Sequence, residues 1–151
     1  MVKFLRNIFA KPSNLESLSS LIMEAEIGHT GEIAVYLRDR AKLFSKNSVR
    51  ADAIEQFSSR RIWDTEDNTG VLIFVCLSKK AIEIVADRGA SNKIQSSTWE
   101  QICLEAAEIF RNEKDSQIGL EHAIKRVGEE LRRAIPGERK QNQISDQAVF
   151  I

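Results

Sequence analysis

From residue 15 the apolar positions Leu15, Leu18, Leu21, Ile22 and Ala25 recur at three- and four-residue intervals, the spacing that lines one face of a helix. Ser13 or Asn14 can cap its first turn, and Gly28 marks its end. The period then changes to two. Ile33, Val35 and Leu37 alternate within Gly31 to Leu37, which predicts a half-buried strand. Residues 38–61 are charged but carry Ala41, Leu43, Phe44, Val49, Ala53, Ile54 and Phe57, the pattern of one or two helical stretches crossing over a sheet.

Val71 to Leu77 is apolar without interruption, as a central strand covered on both faces should be. Ser78-Lys79-Lys80 connects it to Ala81 to Ala86, whose alternation predicts an antiparallel partner nearer the edge. Ser97 with Glu100, and Thr98 with Gln101, repeat the capping-box pattern ahead of Ile102, Cys103, Ala106, Ala107, Ile109 and Phe110. Ser116 opens a last helix with Ile118, Leu120, Ala123, Ile124, Val127, Leu131 and Ile135 on its apolar side, stopped by Pro136-Gly137. Residues 138–151 read as a loose polar tail that Val149, Phe150 and Ile151 would pin. This order of elements predicts an α/β fold, a three-layer α/β/α sandwich around a small mixed, mostly parallel central sheet. Residues 1–13 form an N-terminal extension, 14–137 the domain and 138–151 the C-terminal tail.

Composition narrows the class. With 42% hydrophobic and 29% charged residues, 7 Gly and 2 Pro, the 151-residue chain is neither collagenous nor disordered. Its 22 basic and 22 acidic residues cancel, so no net field draws it onto nucleic acid or an anionic membrane. Arg60-Arg61 and the stretch Arg38 to Lys42 lack interleaved aromatics, so they read as solvated helix faces rather than as a nucleic-acid surface. Cys76 and Cys103 sit in apolar segments without C-x-x-C spacing and read as small buried hydrophobes. The longest apolar run is too short to span a bilayer. Charges also interrupt the N-terminus, Met1 to Ala10, before a signal-type core can form. A cytoplasmic protein is therefore expected, with Phe4, Leu5, Ile8 and Phe9 docking on the domain, or forming a short amphipathic membrane helix as the alternative.

If the first strand and the apolar strand are parallel, three loops leave one edge of the sheet: Thr30-Gly31-Glu32, Asp64 to Gly70, and Asp87-Arg88-Gly89. Glu32, Asp64, Glu66, Asp67 and Asp87 then gather there. Hard oxygen ligands of this kind suit Ca²⁺ or Mg²⁺, and a cation would relieve their mutual repulsion. The alternative is a solvated turn at 64–67, with Asp87 and Arg88 pairing locally. The acidic loop is no EF-hand, because Thr69 and Val75 stand where the glycine and the bidentate glutamate belong. Phosphate-loop, dinucleotide and nucleophile-elbow motifs are absent. His29 and His122 are too few for a His-rich zinc site, and His29, near the acidic edge, reads as a capping or surface histidine before a general base.

Thr30-Gly31-Glu32-Ile33, Trp63 to Ile73, Ile84-Val85-Ala86-Asp87-Arg88-Gly89 and Trp99 to Cys103 together resemble the TPM-domain family over residues 14 to 135. Better-known members of that family are thylakoid-lumen proteins associated with photosystem II repair. The resemblance implies an α/β/α fold and a divalent-cation site near the acidic loops, with Glu32, Asp64, Asp67 and Asp87 as the metal ligands of this chain. The family also carries a phosphatase label, yet this chain has neither a Cys-x5-Arg signature nor an Asp-x-Asp after a strand. Two readings follow. The first is a non-enzymatic module that binds Ca²⁺ or Mg²⁺ at this edge and a protein partner elsewhere. The second is a weak metal-dependent phosphatase using Asp64, Asp67 and Asp87, with Arg88 steadying the phosphate charge.

Overall fold

The computed structural model describes residues 9–40, 48–139 and 141–151. Its elements are α1 (Leu15–Ala25), β1 (Glu32–Arg38), α2 (Val49–Ser59), β2 (Gly70–Cys76), β3 (Ala81–Ala86), α3 (Arg88–Ser91), α4 (Ser96–Asn112), α5 (Gln117–Ala134) and β4 (Ala148–Phe150). The strands form one sheet in the order β3-β2-β1-β4. β1 is parallel to both β2 and β4, and only the β2–β3 pair is antiparallel. The mixed, mostly parallel α/β architecture expected from the sequence is thus present.

Two cores hold the layers. Ile33, Val35 and Leu37 of β1, with Val71, Ile73 and Val75 of β2, face α1, α4 and α5. Ala34, Leu72, Phe74 and Cys76 face the opposite way, with Ala53 and Phe57 of α2. β2 is therefore buried on both faces along its whole length, and each such large apolar side chain contributes about 1.5–3 kcal/mol. α2 is anchored by Ser48, whose hydroxyl accepts from the Ala51 amide at 3.2 Å, and by the Arg38–Asp52 ion pair at 2.6 Å. Asn14 caps α1, accepting from the Ser17 amide.

Several expectations need correction. β1 is not half-buried: β2 and β4 flank it, and its second face lies under the α2 layer. At the C-terminus Val149, Phe150 and Ile151 pin the chain as expected, but residues 141–151 are not loose: β4 adds to the edge of β1 and Ile151 donates its amide to the Leu37 carbonyl at 2.9 Å. The α4 capping boxes are not made; the helix starts after Gln95 with no side-chain cap. Ser116 opens α5 as expected, standing at its N-cap position, while the side-chain oxygen at this start is that of Asp115, which accepts from the Gln117 amide at 2.9 Å. Ile118 lies in the solvent-facing first turn and is exposed. Phe9 docks as expected, its ring 4.9 Å from that of Phe110, while Phe4, Leu5 and Ile8 lie outside the described residues, as do Ala41 to Phe44. Among the described residues no helix is long and apolar enough to cross a membrane.

Candidate functional site

The parallel register sets Glu32 of β1 opposite Gly70 of β2, and the antiparallel register sets Ala86 of β3 opposite Val71. The segments before β1, before β2 and after β3 consequently meet at one edge. Backbone bonds lock them together. The Glu32 amide donates to the Thr69 carbonyl at 3.1 Å, the Asp87 amide to Gly70 at 2.9 Å, and the Gly89 amide to Asn68 at 2.7 Å. The Thr69 hydroxyl donates to the Thr30 carbonyl at 3.0 Å. Gly89 lies so close to the acidic loop that a Cβ there would sit 2.3 Å from the Asp67 carbonyl oxygen. No other residue fits without moving α3 off the loop.

The carboxylates at this edge have different fates. Asp87 uses Oδ1 to accept from the Arg88 amide at 2.8 Å, while its Oδ2 is buried with no hydrogen-bond partner. Asp67 is exposed and lines a polar cavity of about 190 Å³ with Thr30, Thr69, Arg139 and Gln143. Asp64 is exposed and paired with Arg61 at 2.7 Å. Glu66 is exposed, and its amide donates to Gln143 Oε1 at 2.9 Å. Glu32 is only 1% exposed, and its Oε1 accepts from the Gln143 amide at 2.5 Å and the Ile144 amide at 2.9 Å, with Arg139 at 3.1 Å. Among the described residues no three His, Cys, Asp or Glu side chains converge on one point.

A second charged centre adjoins the first. Glu26, at the end of α1, is 3% exposed; its Oε1 accepts from the Ile33 amide at 2.8 Å and its Oε2 lies 2.8 Å from Arg139 Nη2. Burial pushes its carboxyl up from 4.5 to about 8, against the lowering by the Ile33 amide and Arg139, and Asp146 raises it further. One guanidinium, Arg139, thus bridges Glu26 and Glu32. The sequence reading missed this centre, although a signal was there: Glu26 stands four residues after Ile22, on the buried stripe of α1.

His29 is buried as a neutral cap. Its Nε2–H donates to the Ala25 carbonyl at 2.6 Å and its Nδ1 accepts from the Gly31 amide at 3.0 Å. Burial lowers its pKa, helped by Arg132 and Arg139. Cys76 is buried, and burial with the neighbouring Glu83 pushes the Cys103 thiol up to about 12. The basic residues of the patches have neighbours within the chain: Arg60 stands over the Tyr36 ring and Arg61 over Trp63.

On the far side of the sheet's β3 edge, a groove of about 800 Å³ runs between β3 and α4, lined by Ile82, Ile84, Trp99, Cys103 and Leu104. Leu104 is 62% exposed there. The Ile84 carbonyl accepts from the Arg50 guanidinium, and its amide faces the Cys103 sulfur. These contacts guard the middle of an edge strand that would otherwise invite strand addition.

A family model described as the TPM domain matches residues 9–130. Among solved structures, the NMR structure of the BA42 protein from the psychrophilic bacterium Bizionia argentinensis is similar, with a TM-score of 0.78 and 22% identity. The similarity covers 90% of this chain and 91% of that one, and at this identity it establishes the fold. Among curated proteins none matches the chain.

Proposed function

The chain belongs to the TPM domain family, and from that premise we propose that it is a non-enzymatic module that holds Ca²⁺ or Mg²⁺ at the edge formed by Asp67 and Asp87 and docks a protein partner elsewhere. The observation that carries the cation reading is the Asp87 carboxylate. Its Oδ2 is buried among the described residues with no donor, a costly state for a charged oxygen unless a cation completes it. Gly89 brings the Asp67 backbone carbonyl against the same helix start, and carbonyl oxygens are ordinary Ca²⁺ ligands. Two of the four sequence-derived ligands fit this role, Asp67 and Asp87. Asp64 is held by Arg61, and Glu32 by Arg139 and two amides, so both act as flanking charges in the proposed site. When bound, the cation would neutralise the edge and tie α3 to the acidic loop.

The non-enzymatic part rests on the side chains near this edge and the groove. The thiol of Cys103 is pushed far above neutrality, and both ring nitrogens of His29 are engaged, so neither is a poised nucleophile or base. The apolar groove beside Leu104 supports the protein-docking part.

A thermal melt in chelator, compared with Ca²⁺ and Mg²⁺ titrations, tests the reading. Because the ion binds only the folded chain, saturation at about a hundred times Kd should raise Tm by roughly 5–10 °C for a domain of this size. Asp67→Ala and Asp87→Ala should each remove the rise, while Asp64→Ala should preserve most of it. A flat response at millimolar cation, or one that survives the Asp67→Ala/Asp87→Ala pair, overturns the site. The same variants assayed on a phosphate monoester separate the readings: cation-dependent turnover lost with Asp87→Ala would establish the metal-dependent phosphatase instead.

A further inference from the structure

The C-terminal segment is fastened to the domain by packing and by charge. β4 is three residues long and half-buried, with Ala148 and Phe150 against one core and Ile144 and Ile151 against the other. Arg139, just after the Pro136-Gly137 stop, reaches Glu26 Oε2 at 2.8 Å and Glu32 Oε1 at 3.1 Å. Gln143 and Ile144 add their amides to Glu32, and Asp146 faces Glu26. Two carboxylates therefore meet one guanidinium, and a third, Asp146, faces the first of them. The oxygens left over are informative. Among the described residues, Glu26 Oε2 and Asp146 Oδ1 are both buried; Glu26 Oε2 has only the ion pair to Arg139, and Asp146 Oδ1 has no hydrogen-bond donor. Two ionised carboxylates facing each other would repel; with one proton between them, each oxygen has the partner it otherwise lacks.

We propose that Glu26 and Asp146 share one proton across the boundary between α1 and the C-terminal segment, and that this proton makes residues 141–150 a latch whose strand, β4, is released from β1 as pH rises, while Arg139 stays on Glu26 and Glu32. In the closed state Glu26 Oε2 carries the proton and donates it to Asp146 Oδ1, so no two charged oxygens face each other, and Glu32 is the negative group on Arg139. Loss of that proton to solvent sets two negative carboxylates, Glu26 and Asp146, face to face, with Arg139 engaged on Glu26 and Glu32. The other charged groups around this point do not cancel the excess. Arg132 of α5 is directed at the Ala25 and Ile27 carbonyls, at 3.3 and 3.2 Å. His29 is neutral, held by Ala25 and Gly31. Glu138, beside Arg139 in the adjoining cavity, adds negative charge. An open latch leaves β1 with an unpaired edge along Val35 to Leu37, where β4 had paired.

Two measurements on the full chain test this. Carboxyl-carbon NMR titration of Glu26 in the unaltered protein should show it keeping its proton into the neutral range. In Asp146→Asn, whose amide can donate to an ionised Glu26, that titration should fall by about one pH unit or more. A Glu26 titration below about pH 5 in the unaltered protein, or one unmoved by Asp146→Asn, overturns the shared proton. Amide hydrogen exchange, corrected for the intrinsic effect of pH, reads the latch itself. Protection of Val149 to Ile151 should drop at least tenfold across the Glu26 titration, and Glu26→Gln, which keeps an acceptor for Ile33 and a donor for Asp146, should abolish that dependence. Protection that is independent of pH in the unaltered protein, or a dependence that persists in Glu26→Gln, overturns the latch.

Discussion

Gly70→Ala should destabilise the domain by about 3 kcal/mol or more, a large share of the roughly 5–15 kcal/mol available to a natural domain. Gly70 opens β2, opposite Glu32, and a Cβ built on it would lie 2.0 Å from the Ile62 carbonyl oxygen. Neither side can give way cheaply. Ile62 is 1% exposed, and its amide donates to the Phe57 carbonyl at 3.1 Å just after the left-handed turn at Arg61. On the other side, Gly70 itself accepts from the Asp87 amide. Relief by shifting β2 would pull Asp87 and the acidic loop apart, so the cation-dependent rise in Tm should vanish with the stability. Urea denaturation measures the first effect, with Gly31→Ala as the comparison. A Cβ at Gly31 meets only side-chain atoms, the nearest at 3.1 Å, so its loss should be smaller. A Gly70→Ala loss under about 1 kcal/mol would mean that the 62–70 segment is far more compliant than its bonding implies.

Why the acidic edge was legible and its bonding was not follows from what each depends on. The convergence of three loops needs only the parallel pairing of β1 with β2 and the hairpin to β3, and both are written in local hydrophobic pattern: the run Val71 to Leu77 and the alternation Ala81 to Ala86. The state of each carboxylate depends on cations and amides supplied from elsewhere. Glu32 takes the Gln143 amide from 111 positions along the chain, and no spacing rule reaches that far. The same distance hid β4. Three residues flanked by Gln, Asn, Ser and Asp carry no strand signal of their own. They become a strand because Arg139, Gln143 and Ile144 have already been tied to Glu26 and Glu32. Polar residues 138–147 looked solvated because the pattern cannot distinguish a charge facing water from one facing a buried opposite charge. The capping boxes failed for a nearer reason. The helix begins earlier than the boxes imply, at Ser96 after Gln95, so the Glu100 and Gln101 amides that the Ser97 and Thr98 hydroxyls were expected to meet lie beyond its orphan first turn.

Arg139→Leu should cost about 3 kcal/mol at about pH 9 and markedly less at about pH 7. The sign comes from Glu26. Its folded pKa, raised to about 8 against an ordinary 4.5, means that between those values the folded chain holds a proton the unfolded chain has lost. Stability therefore falls as pH rises through that window. At about pH 7 Glu26 is still neutral in the folded protein, so removing Arg139 strands chiefly the buried Glu32, which keeps two amide donors. At about pH 9 Glu26 is ionised as well, and the variant must hold Glu26 and Glu32 together with no guanidinium between them. His29 does not confuse the comparison, because its lowered pKa leaves it neutral in the folded chain throughout this range. Glu26→Gln should by itself stabilise the protein at the higher pH and do little near pH 5, where the glutamate already carries its proton. In the Glu26→Gln background the extra alkaline cost of Arg139→Leu should disappear, a coupling that a double-mutant cycle by urea denaturation at the two pH values reads directly. If Arg139→Leu costs the same at both pH values, the guanidinium serves Glu32 alone, and Glu26 owes its raised pKa to burial without taking part in holding the C-terminal strand.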